Sequence, residues 1–395
     1  MSYSGWSIRA GCSKPSPDFS LLRLVFPHMQ SLPTMTPIET VPQATQDLAA
    51  KHELQATGSS PKAHRIHALD FTKGALVLIM VLYHWINYFI GLEWPYYRYL
   101  RFLSSSFIFI TGFMISHIYL SKYAAADPRL WKRLVTRGVK LMAIFLVLNA
   151  ARDLAIPILG TGVTAQSLPS LQDLFTIFVS GNFTVAGNKL VSFTILIVIS
   201  YVLIFSGLLM PLFNRYKYTF HVVCLLLLLS IAMLKVFGAG SYNLEFITIG
   251  MLGVVAGFMP IQRLNDIVRH RYALFFAYLC YTIAISIWNV PFPLLLVGVA
   301  LNLMALYAMG ISRSETGVAM NEIILLGKYS LLGYISQVAI LQVLSAVFHH
   351  INLGSAVLPV SFVAACVLTI ATIEVVNRAR ARSGSVDKLY KAVFA

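Results

Sequence analysis

The chain has 395 residues, 58% of them hydrophobic and only 11% charged, with a mean hydropathy of +0.75. A soluble domain carries roughly 25% charged residues, so this length converts into membrane spans rather than soluble domains. The formal charge of +15 has no soluble basic domain behind it; it speaks against a nucleic-acid partner and for positive-inside topology and anionic lipid headgroups.

Residues 1–65 are rich in Ser, Pro, Thr and Gln and read as a disordered cytoplasmic tail. The patch LLRLVF at 21–26 is too short for the apolar core of a secretory signal. Residues 66–378 then hold ten apolar segments: 68–91, 98–120, 139–159, 189–213, 218–237, 245–260, 272–290, 292–311, 329–348 and 356–377. A span needs about 20 apolar residues, so the short, Gly-rich sixth segment is the weakest of them. Segment 166–187 is too polar to cross and suits an interfacial or re-entrant helix. Residues 379–395 form a basic cytoplasmic tail. The fold class is an all-α polytopic membrane protein, a bundle of about ten transmembrane helices.

Charge supports this count. With the N-terminus inside, the inner loops hold Lys122, Arg129, Lys132, Arg133, Arg137, Lys140, Arg215, Lys217, Arg263, Arg269, Arg271, Arg313 and Lys328. The outer loops and their edges hold only Arg98, Arg101, Arg152, Lys189 and Lys235. Both termini are therefore placed in the cytoplasm. A missed span would reverse the sign of every later loop.

The cysteines Cys12, Cys224, Cys280 and Cys366 lack CxxC spacing and support no disulfide framework. No metal site and no Gly-rich nucleotide loop is expected. Ser105, Gly112 and Ser116 on the second segment, and Gly250, Gly253 and Gly257 on the sixth, form small-residue faces suited to close helix packing. Arg152 and Asp153 read as a local ion pair.

The first segment is the unusual one, for it carries Asp70, Lys73 and His84. At about 100° per residue, Asp70 and Lys73 lie roughly 60° apart, and His84 returns to within about 20° of Lys73. Asn87 continues that face. These groups therefore point into the bundle, because an ionisable group facing lipid costs about 2.5–3.5 kcal/mol or more. Asp70 and Lys73 sit in the first turns, whereas His84 lies about 16 Å deeper. The plain reading is an ion pair at the helix start and a histidine bonded to a neighbouring helix.

LDFTKGALVLIMVLYH resembles the start of the transmembrane acyltransferases of the acyltransferase 3 superfamily, where a basic residue precedes a His by eleven positions. SSSFIFITGFMIS resembles that family's second span, LWKRLVTRGVKLM its Arg-rich stretch before the third, and LGKYSLLGYISQ a segment near its end. The LD-x-x-(K/R)-G opening is similar to the glucan succinyltransferase and heparan glucosaminide acetyltransferase branches. Two positions depart from the pattern. Lys73 stands where Arg is usual, and Gln337 stands where His is common, so Gln337 receives no proton-transfer role.

The resemblance implies an enzyme of a bacterial inner (plasma) membrane. It would move an acyl group from cytoplasmic acyl-CoA, a substrate rather than a cofactor, to a hydroxyl of an extracytoplasmic glycan or lipid-linked sugar. His84 is then the catalytic residue, either as a base or as an acyl carrier. Lys73, Arg133 and Arg137 bind the donor phosphates, with Asp70 supporting. Two other readings stand beside it: a transporter or flippase whose path is lined by Asp70, Lys73 and His84, and a membrane partner without activity.

Overall fold

The computed structural model describes residues 66–91, 99–120, 128–158, 171–185, 188–189, 191–288, 290–312, 317–351 and 354–394. The expected tail 1–65 lies outside them. Among the described residues eight helices are long and apolar enough to span: α1 (His67–Phe89), α2 (Phe102–Leu120), α3 (Pro128–Ile158), α5 (Ile195–Arg215), α6 (Thr219–Val236), α10 (Phe292–Ser312), α12 (Ser330–His350) and α13 (Val357–Arg382). The remaining two expected segments are shorter helices, α7 (Tyr242–Ala256) and α9 (Arg271–Ile287). Between them lies α8 (Ile261–Arg269), bent by 99° from α7. The chain is an all-α polytopic membrane bundle. Its only strands among the described residues are the two-residue pair Thr184–Val185 and Asn188–Lys189.

Three elements extend the sequence reading. Helix α3 begins at Pro128, so most of the basic stretch expected as a loop before residue 139 is helical. A short helix, α4 (Leu171–Phe175), runs on as a π-helical turn through Ser180. Its backbone is held by Asn243, whose Nδ2 donates to the carbonyls of Ile177 and Phe178 at 3.0 Å. Residues expected as an inner loop form α11 (Val318–Lys328), and the C-terminal tail forms α14 (Gly384–Phe394).

The small-residue faces pack as expected. A Cβ at Gly112 would lie 1.9 Å from the Gly250 carbonyl oxygen, and one at Gly253 would lie 2.1 Å from that of Phe109. Ser116 Oγ donates to the Val254 carbonyl at 2.7 Å. Helices α2 and α7 thus touch backbone to backbone, which is how small residues hold helices together where lipid removes the hydrophobic drive.

A tighter contact fixes α1. A Cβ at Gly74 would lie 1.8 Å from the Ile323 carbonyl oxygen on α11, and one at Gly327 would lie 1.7 Å from that of Asp70. The two helices cross with no side chain between them. Adding even one methyl must force them apart, and overpacking costs about 1–3 kcal/mol or more. We expect Gly327→Ala to lower the melting temperature in detergent clearly, and Gly327→Val to prevent accumulation of folded protein. Gly240→Ala, which meets nothing within 4 Å, serves as the control. A Gly327→Ala protein melting like wild type would refute the contact.

Candidate functional site

The α1–α11 contact sets Lys73 beside the end of α11. Lys73 Nζ pairs with Asp70 Oδ1 at 2.7 Å, as the plain reading of the sequence had it. Asp70 is 4% exposed, so its charge is held in the bundle by this partner. Beyond the pair opens a cavity of about 340 Å³, lined by Lys73, Arg137, Lys328, Tyr119, Thr111 and Ser330, with Phe107 in its apolar wall. Arg137 bonds Tyr119 Oη across it.

The donor-site residues taken from the sequence therefore separate. Lys73 and Arg137 share one cavity. Arg133 is exposed and does not line it. Arg133 and Arg137 lie one turn apart on α3, and of the two only Arg137 lines the cavity, where it bonds Tyr119. Lys328, absent from the sequence-level donor site, supplies a third cation to the lining. Its signal in the sequence was the LGKYS segment itself, read there for family likeness and topology alone.

Helix α14 closes one side. Tyr390 and Phe394 line the cavity. Arg380, near the end of α13, donates to Asp387 Oδ1 at 2.6 Å and to Tyr329 Oη at 3.1 Å, and its guanidinium sits 3.9 Å from the Tyr390 ring centroid. Lys391 and Arg380 together hold the Asp387 carboxyl below the usual carboxylate range. The basic tail is a helix tied over the cavity, not a loose extension.

His84 lies further along α1 and is 9% exposed. Its ring packs against Tyr83 at 5.2 Å and Tyr334 at 5.9 Å, centroid to centroid. Tyr334 packs in turn on Phe107 at 6.2 Å. Since Phe107 belongs to the cavity wall, one aromatic layer separates the basic cavity from the imidazole.

Past His84 is a polar cluster that sequence reading missed. Gln342 Nε2 donates to Tyr88 Oη at 3.1 Å and to Ser192 Oγ at 2.9 Å. The Ser192 backbone donates to Asn149 Oδ1 at 2.8 Å, and Arg152 Nη1 donates to Ser192 Oγ at 3.3 Å. Arg152 also pairs with Asp153, its Nε donating at 2.8 Å, as expected. Of its members the sequence reading singles out Arg152, with Asp153, and only as a local ion pair; Tyr88 lies four residues after His84 and so near its face, and its partners come from three other segments.

The arrangement is a cationic chamber towards one end of α1, a buried imidazole towards the other and a polar cluster beyond it. Such a site can hold an anionic group at one end, present hydroxyl partners at the other and exchange a proton between. Comparison of the chain with protein-family models, with curated proteins and with solved structures finds no match.

Proposed function

We propose that this chain is a membrane-bound O-acyltransferase of the acyltransferase 3 kind. It uses acyl-CoA from the cytoplasm and a glycan or lipid-linked sugar hydroxyl on the far side of a bacterial plasma membrane. The observation that carries the reading is the order of groups along α1. Lys73 sits in the cationic cavity, His84 lies about 16 Å further along the helix, and Tyr88 belongs to the polar cluster beyond. An extended pantetheine arm can cover that distance from a phosphate held at the cavity to a thioester near His84.

The chemistry follows. A neutral imidazole takes the proton of the acceptor hydroxyl as its oxygen attacks the thioester carbon. The new C–O bond forms, the C–S bond breaks, and the leaving thiolate receives the proton from the imidazolium. Phosphates rest against Arg137, Lys328 and Lys73, whose guanidinium and ammonium groups suit that charge. Phe107 must turn aside for the thioester to pass. The aromatic layer between the cavity and the polar cluster favours transfer across a closed bundle over transport of a whole substrate.

Three experiments test this. On the Lys/Arg asymmetry we expect both termini, and residues 121–138, in the cytoplasm. A cysteine introduced there should stay unlabelled by an impermeant thiol reagent in intact cells; labelling would reverse the orientation and separate the cavity from its donor.

Arg137→Ala should raise KM for acyl-CoA about tenfold or more, with a smaller change in kcat, because phosphate contacts precede the chemistry. Arg133→Ala should stay within about twofold of wild type on the same ground of geometry. Equal effects from both changes would show that the cavity does not select the donor.

His84→Gln keeps a polar group of similar reach but cannot take a proton near neutral pH. A general base contributes about 10²–10⁴-fold. We expect loss of that size in acyl transfer by purified protein, with an unchanged melting temperature. Near wild-type transfer by His84→Gln would remove His84 as the base, whereas no transfer by the wild-type protein would remove the reading of the chain as an acyltransferase.

A further inference from the structure

Gln337 on α12 is fully buried, and neither Nε2 nor Oε1 of its side chain has a hydrogen-bond partner among the described residues. A buried amide left unmade costs about 1–3 kcal/mol, so its retention asks for an occupant. Its position indicates which one. Gly333, one turn earlier, faces Val77 of α1, and Leu341, one turn later, clusters with Val81. Gln337 therefore lies on the stripe of α12 that meets α1, between those levels. Tyr334, three residues before it, packs on His84. The orphaned amide sits within a turn of the side chain that touches the imidazole.

We propose that Gln337 is a further catalytic residue, whose side-chain N–H donates to the carbonyl oxygen of the acyl thioester. This rests on the acyl-transfer reading. As the acceptor oxygen bonds to the thioester carbon, the carbonyl electron pair moves onto that oxygen and the amide stabilises it. When the C–S bond breaks the pair returns and the hydrogen bond relaxes. No proton passes through Gln337, which agrees with an amide where an imidazole is common. A preorganised donor in a water-excluded site acts without reorganising at the moment of reaction.

The test uses full-length purified protein with acyl-CoA and a sugar acceptor. Gln337→Leu removes an unmade amide from the core, so its melting temperature should equal or exceed that of wild type. Its kcat should fall about 10²–10³-fold, the loss typical of an oxyanion donor, while KM for acyl-CoA moves less than about threefold. Gln337→His, which restores an N–H donor, should recover at least tenfold over the Leu variant. Gln337→Met is run in parallel as a second apolar replacement of similar length. Unchanged kcat in the Leu or Met variant would overturn the proposal. So would a loss of activity matched by a fall in melting temperature in both, which would make Gln337 a structural residue. His84→Gln separates this from the wider reading. If His84→Gln is inactive and Gln337→Leu fully active, only the role of Gln337 falls. If wild type shows no transfer, the acyltransferase reading falls first; if His84→Gln keeps transfer, the role of His84 falls and that of Gln337 is judged on its own variants.

Discussion

The site depends on a contact in which no side chain takes part. Gly74 of α1 lies against the Ile323 carbonyl of α11, and Gly327 of α11 lies against the Asp70 carbonyl of α1. Each glycine makes room for the other helix's backbone. This brings the end of α11 beside the first turns of α1, so Lys73, Lys328 and Tyr329 come to border one cavity. The same close crossing buries Asp70 and sets it on Lys73. Were the helices a methyl further apart, the acid would lose its enclosure and the cavity one of its walls. Glycine at the position after Lys73 is thus explained by packing, independently of any chemistry that Lys73 performs.

A second constraint works along the membrane normal. Full charges at mid-depth cost several kcal/mol, whereas neutral polar groups cost less and can still bond. The protein follows that gradient. Its charged groups sit at the two ends, Lys73 with Asp70 and Arg137 at one and Arg152 with Asp153 at the other. Between them lie a buried imidazole, phenol and amide: His84, Tyr334 and Gln337. Each of these side chains can give or take a hydrogen bond.

Much of the fold could be read in the sequence because lipid leaves few options. All ten apolar segments became helices, and the glycine faces of α2 and α7 met as their spacing implied. The polar face of α1 also turned inward, as Asp70 and His84 show by their burial. What escaped had a different signature. Helix α11 is eleven residues long and carries Asn321 and Glu322, so it shows neither the length nor the apolarity of a span. It is held by tertiary contact at glycines, which no local pattern reports. The Tyr88–Gln342–Ser192 cluster joins residues 104 to 254 positions apart (88 to 192 and 88 to 342), a distance over which periodicity carries no information. Arg133 and Arg137 could not be told apart because a helical wheel gives direction but not height.

Height also explains why one helix can hold so much of the site. Helix α1 passes from the cationic cavity, past the aromatic layer, to the polar cluster. A rise of about 1.5 Å per residue turns sequence separation into depth, so in the proposed reaction the eleven residues from Lys73 to His84 are a ruler between the bound end of the donor and its reacting end. A rigid helix fixes that length better than a loop could, and reaction rates fall steeply when reacting atoms are displaced by even about 1 Å. The small residues that lock α1 to α11 and α2 to α7 sustain the ruler, because helices that cannot slide cannot change the depth at which His84 meets Tyr334. In this bundle the glycines set the distances, and the few buried polar side chains act at the places those distances define.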